Sequence, residues 1–156
     1  MRVEQGFITA PPPDDNPSEA VLLHFDASVI DVTTLLEVHV HTHASTSAHS
    51  MRGKYRSAVY TFDDRQRTQC ADSLQQLQPD FTKPLITRVL SFVAFSASDD
   101  KYQNYYYSNP NKPFCKTWIH PKLQLIRQRF TDNYSSVLPQ GNSLLGDQCG
   151  DRQQQH

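Results

Sequence analysis

The side chains richest in chemistry lie between His39 and Tyr60, where the chain reads HVHTHASTSAHSMRGKYRSAVY. His39, His41 and His43 alternate, His49 follows among Ser and Thr, and a basic turn of Arg52, Gly53 and Lys54 leads into Tyr55 and a period-2 run ending at Tyr60. On a strand the three alternating imidazoles would share a face and, with His49, make a nitrogen-rich zinc site. The same residues also continue a helix begun at Asp31, where positions two apart do not face each other. The stretch itself holds no carboxylate or thiol, so no metal ligand is assigned.

Chemistry is also carried by a carboxylate, the three cysteines and a run of tyrosines. Glu19 stands at the entrance of a strand, and apolar surroundings there would turn it into a general acid; a solvated strand end would leave it an ordinary carboxylate. Cys115 follows the irregular stretch Asn109 to Phe114, where a thiol is expected to be exposed and mobile, and so reactive or resolving. Cys70, within a helix, reads as inert, and Cys149 sits beside Gly150 in a polar tail from which it can reach a partner thiol. Tyr105, Tyr106 and Tyr107 suit either a stacking platform or a core edge with hydroxyls at the rim.

The elements that must position these groups are legible in outline. Val3 to Thr9 predicts a strand in which Gly6 marks a bulge or a close backbone approach. A proline-stiffened loop, Pro11 to Pro17, leads to a second strand, Ser18 to Phe25. Asp31 is a candidate N-cap for a helix running to Val38, and Asp63 with Asp64 for one running to Leu77. Between them Tyr55 to Phe62 predicts a strand. Pro84 to Phe95 is the most apolar strand candidate, Lys101 to Tyr107 and Pro121 to Phe130 are further helices, and a disordered tail is expected from 132 to 156. That order fits an α+β fold with helices against a mixed sheet.

A chain of 156 residues with 15 basic and 16 acidic side chains reads as one domain without polyanion bias, so nucleic acid is not an expected partner. No apolar run reaches membrane-spanning length, and the N-terminus lacks the core of a signal peptide, so a cytoplasmic monomer is the expectation. Three widely spaced cysteines do not make a secreted disulfide framework.

Taken together, these pieces resemble the A-type peptide methionine sulfoxide reductases. Ser18-Glu19-Ala20-Val21 followed by Phe25 to Ile30 is similar to the family's HAE-V segment with its DPSVIS turn. Leu35 to Val38 leading to His43 resembles its LLEVFWEIHDPT helix, and Lys54 to Tyr60 its QYRSAIY strand. Asp100 to Tyr106 resembles EDYHQNYY, and Asn109 to Cys115 with Ile119 to Leu123 resembles NPN-QPYC with I-PKL. The resemblance covers about Arg2 to Phe130 and implies a ferredoxin-like mixed sheet flanked by helices, with residues 1 to 131 as the domain.

It also implies a mechanism: a cysteine thiolate attacks the sulfoxide sulfur, a buried glutamic acid protonates the oxygen, and a second thiol resolves the sulfenic acid for reduction by thioredoxin. Glu19 matches the acid, Tyr55 a tyrosine that helps hold the oxygen, and Cys115 a resolving cysteine. No cofactor is implied; the partners are methionine sulfoxide, free or in proteins, and thioredoxin. The family's GCFW nucleophile motif does not occur in these residues, and Arg2 to Phe7 match the strand that follows it. The first strand and helix are therefore expected to be missing, as in an incomplete gene model or fragment. The chain as it stands is expected to be inactive, with binding of oxidised methionine or a protein partner as the alternative role.

Overall fold

Gly6 occupies the point of closest approach between two strands. In the computed structural model, which describes residues 2–48 and 53–129, it lies at the middle of β1 (Arg2–Thr9), paired antiparallel with β2 (Ser18–His24) on one side and β5 (Ala94–Ala97) on the other. The register sets Gly6 opposite Ala20 and Ala97. A Cβ on Gly6 would stand 2.3 Å from the Ser96 carbonyl oxygen and 2.6 Å from the Phe95 ring. The close approach expected at Gly6 is thus present, within a continuous ladder.

A second sheet pairs β3 (Ala58–Thr61) with β4 (Arg88–Ser91) in parallel, joined by α2 (Asp64–Leu77). Antiparallel and parallel pairing coexist, as the mixed α+β reading requires, but among the described residues the strands divide between two sheets. The apolar run Pro84 to Phe95, expected as one strand, crosses between them. Its consecutive amides point to different partners: Phe92 N–H donates to the Thr61 carbonyl (2.9 Å) and Val93 N–H to the Thr9 carbonyl (3.0 Å).

Both predicted N-caps are made. The Asp31 carboxylate accepts from Thr34 N–H and opens α1 (Val32–Thr42), and that of Asp63 accepts from Gln66 N–H (2.7 Å) ahead of α2. Helix α1 runs past the expected end at Val38 and takes in His39 and His41. Burial decides against the strand alternative: Leu36 and Val40, one turn apart, are buried with Cys70 and Leu77 in a core flanked by Val32, Leu74 and Phe81.

The helix expected over Lys101 to Tyr107 is interrupted. A short 3-10 turn, Asp100–Tyr102, precedes Gln103, whose side chain binds both the amide and the carbonyl of Gln5 at 2.8 Å, drawing it out of helical conformation. Asn104 then takes a left-handed φ of 49° before α3 (Tyr105–Ser108). A π-helical turn, Cys115–Ile119, feeds α4 (His120–Arg129). Phe130, the expected tail, His49, Arg52 and Cys149 lie outside the described residues. No described helix is long and apolar enough to cross a membrane.

Candidate functional site

Among the described residues β2 and β3 each pair with a strand on one side only, and a cavity of about 500 Å³ is lined by residues of both. Its walls are mainly apolar: Leu22 and Leu23 of β2, Leu35 and Leu36 of α1, Val59 of β3 and Cys70 of α2. Glu19, Gln5, Tyr55 and Arg56 add polar groups. Such a cavity can take a ligand with an apolar stem and a hydrogen-bonding head.

The polar end is clasped together by backbone and hydroxyl bonds. The Lys54 carbonyl accepts from Glu19 N–H (2.8 Å) and from the Ser18 hydroxyl (2.9 Å), and the same hydroxyl accepts from Arg56 N–H (2.9 Å). These bonds draw Tyr55 out of the strand expected to begin there, so β3 starts only at Ala58, and they hold it beside the entrance of β2 where Glu19 sits. The Arg56 guanidinium reinforces the clasp, donating to the Tyr60 hydroxyl (3.0 Å), the Asn16 carbonyl (2.9 Å) and the Ile8 carbonyl (3.3 Å). A guanidinium with several fixed donors suits such a junction.

Glu19 is oriented from the other side. Its carboxylate accepts from Gln5 Nε2 (2.9 Å), and Gln5 is itself fixed by the paired bonds from Gln103. The oxygen of the same side-chain amide, Gln5 Oε1, is buried without a hydrogen-bond partner. The sequence reading treated Ser18, Gln103 and Arg56 as parts of motifs without assigning them this bracing role. Apart from the Arg56–Tyr60 bond, the partners named here lie 36 to 98 residues away, so no local signal reveals it.

Glu19 is exposed at the cavity rim, on the outer strand of its sheet among the described residues, so the solvated strand end holds and the burial that the resemblance implies for the acid is absent. Cys115 also departs from expectation. In place of an exposed, mobile thiol, it is fully buried at the start of the π turn, its Sγ 3.6 Å from the Asn109 carbonyl. It does not line the cavity, so the structure brings Glu19 and Tyr55 to one site and leaves Cys115 outside. Cys70 does line the cavity, but burial pushes its thiol pKa up, the direction of an inert thiol. Tyr105, Tyr106 and Tyr107 are also absent from the lining; Tyr105 packs edge-on to Phe114 and Tyr106 to His120.

Two of the histidines close one wall. His39 and His43, one turn apart on α1 and its C-cap, stack with ring centroids 4.9 Å apart. His39 Nε2 is buried without a hydrogen-bond partner. Desolvation, then His43 and Lys122, push the His39 pKa down to about 4, so the ring is neutral near pH 7.

Comparison with known proteins places this arrangement in context. A family model described as peptide methionine sulfoxide reductase matches residues 14–134. The peptide methionine sulfoxide reductase MsrA of Chromobacterium violaceum is 35% identical over 124 residues, spanning 76% of this chain and 70% of that protein. Its namesake from Acinetobacter baumannii is 30% identical over 121 residues, 75% of this chain and 69% of that one. Among solved structures, Mxr1 of Saccharomyces cerevisiae in reduced form aligns with a TM-score of 0.63 at 17% identity, covering 72% of this chain and 74% of that one. The same protein in an unusual oxidized form aligns at 0.55 and 19%, covering 72% and 69%. The likeness to the yeast structures shows a shared fold.

Proposed function

Because the chain belongs to the peptide methionine sulfoxide reductase family, we propose that its site takes methionine-S-sulfoxide, free or in an oxidised protein. The observation that carries this reading is the cavity between β2 and β3, with apolar walls for the thioether stem and Glu19 and Tyr55 at its polar end for the sulfoxide oxygen. The overall reaction converts the sulfoxide and two thiols to methionine, a disulfide and water. Tyr55 donates a hydrogen bond to the oxygen through its hydroxyl, and Glu19, held in place by Gln5, gives the oxygen a proton only where the seated side chain shields the exposed carboxyl from water.

The thiolate that attacks sulfur is the part that the described residues do not supply. Cys70 and Cys115 are both fully buried, and a nucleophile needs access and thiolate character. On this reading the chain alone binds the oxidised side chain without turning it over. When a competent thiolate is present, thioredoxin returns the resulting disulfide to dithiol.

Titration with a methionine-S-sulfoxide peptide, run beside a dithiothreitol-driven turnover assay, tests both halves. Saturable binding without methionine formation is expected. Glu19→Ala and Tyr55→Phe, which each remove the polar group, should each weaken binding about tenfold, the scale of one lost hydrogen bond to a strongly polar group. Sustained turnover would contradict the assignment of the buried cysteines, and Cys70→Ser, Cys115→Ser and Cys149→Ser would then locate the thiol. Absence of binding would remove the substrate reading altogether.

A further inference from the structure

On the face of α1 away from the stacked His39 and His43, a second cluster forms that the sulfoxide site does not use. Glu37 and His41 lie four residues apart on α1 and so share a face, and Asp80 ends the 3-10 turn Gln78–Asp80 that follows α2. Each offers a ligand atom within 4.8 Å of those of the other two, with His41 Nε2 and Asp80 Oδ2 at 3.1 Å. The His41 ring is 11% exposed and lies nearly flat on Phe81, with centroids 4.8 Å apart and an interplanar angle of 22°. Packing therefore sets its plane, and the bond to Asp80 sets the direction of Nε2. Asp80, 39% exposed, leaves the cluster open to water on one side.

We infer that Glu37, His41 and Asp80 form a site for a first-row divalent cation, with Zn²⁺ as its representative. One imidazole and two carboxylates are a donor set these ions accept, and they neutralise the charge of a 2+ ion. Metal–ligand bonds of about 2.0–2.2 Å place ligand atoms roughly 3.4 Å apart in a tetrahedral site. The His41–Asp80 pair, hydrogen-bonded at 3.1 Å, stands slightly inside that spacing, so an ion would replace the shared proton and part the two atoms a little, and rotation of the Glu37 carboxylate would close the third side. Water fills the fourth position on the exposed flank. The ion would tie α1 to the turn that ends α2, across the contact built from Leu36, Val40, Leu77 and Phe81. The sequence concealed the set because the alternation of His39, His41 and His43 drew attention to imidazoles that the helix points in different directions, while Asp80 lies 39 residues from His41.

Calorimetric titration of the metal-free full chain with ZnCl₂, with thermal unfolding in parallel, tests the site. One ion per chain with a dissociation constant of roughly micromolar or lower is expected, together with a higher Tm when Zn²⁺ is present. Glu37→Gln and Asp80→Asn keep the side-chain shapes at half-buried and exposed positions, and each should weaken binding by about tenfold or more. Their circular dichroism should match the parent, and His39→Gln should bind as the parent does. Undiminished binding in the Glu37→Gln/Asp80→Asn double variant, loss of binding in His39→Gln, or no Zn²⁺ binding by the parent would each overturn the assignment.

Discussion

Gly6→Ala should destabilise the protein by about 3 kcal/mol, near the upper end of what added volume costs in a packed interior. A new methyl group would meet the Ser96 backbone carbonyl at 2.3 Å and the Phe95 ring at 2.6 Å, with the Ala97 Cα at 3.0 Å. The ring can rotate away. The carbonyl belongs to β5, which is held to β1 by the ladder from Gly6 and Ala97 to Thr9 and Ala94, so relief requires that ladder to part. Because β1 also carries Gln5, the brace of Glu19, the damage should reach the cavity. Thermal unfolding should show Tm lowered by roughly 10 °C, the shift expected for that loss in a chain of this size. A Tm within a degree or two of the parent would mean that β1 and β5 are not packed this closely.

The second large effect is an acid sensitivity centred on His39. Its folded-state pKa is depressed from 6.5 to about 4, first by burial, then by His43 and Lys122. Between those values the unfolded chain binds a proton that the folded chain refuses. Stability therefore rises with pH through this window and is fully present above about pH 6.5; on acidification it is lost progressively down to about pH 4. At 1.36 kcal/mol per unit the contribution is about 3 kcal/mol. His39→Phe keeps a flat ring against His43 and removes the titration, so urea unfolding at pH 7.5 and pH 4.5 should show a smaller difference in the variant by roughly 2 kcal/mol or more. Equal pH dependence in the two proteins would show that His39 is not buried neutral. The ion pair of Asp14 with Arg88 titrates elsewhere. Hydrogen bonding from Arg88 lowers the Asp14 pKa below its ordinary 3.8, so its contribution is present above that pH and is lost only in stronger acid.

What could be read from the residues alone was local. The caps at Asp31 and Asp63 were legible because a carboxylate and an amide three residues on make the whole interaction. Gly6 was legible because glycine inside a strand signals a close neighbour. The split of Pro84 to Phe95 was not, because each of its residues suits a strand; only the positions of Thr61 and Thr9 assign Phe92 to one sheet and Val93 to the other. The His39, His41 and His43 alternation suited a strand or a continued helix, and the helix won because the burial of Leu36 and Val40 follows the helical period. Cys115 looked accessible because its sequence neighbours are irregular, yet irregular backbone folded around it and buried it completely. At the site itself, motifs pointed to Glu19 and Tyr55. The cavity between β2 and β3 and the bracing by Ser18, Arg56 and Gln103 depend on contacts between distant segments and emerge only in three dimensions.

On the proposed function a sulfoxide side chain seats between β2 and β3 with its oxygen toward Glu19 and Tyr55. The most direct measurement follows the backbone and tyrosine resonances of labelled protein during titration with peptides that differ only in carrying methionine, the S-sulfoxide or the R-sulfoxide. Saturable shifts are expected for the S-sulfoxide, centred on Glu19, Tyr55 and Val59, with methionine and the R-epimer bound at least about tenfold more weakly, because a site built around one oxygen position loses its hydrogen bonds when that oxygen is missing or misplaced. Equal affinity for the three peptides, or shifts confined to residues away from the cavity, would contradict it.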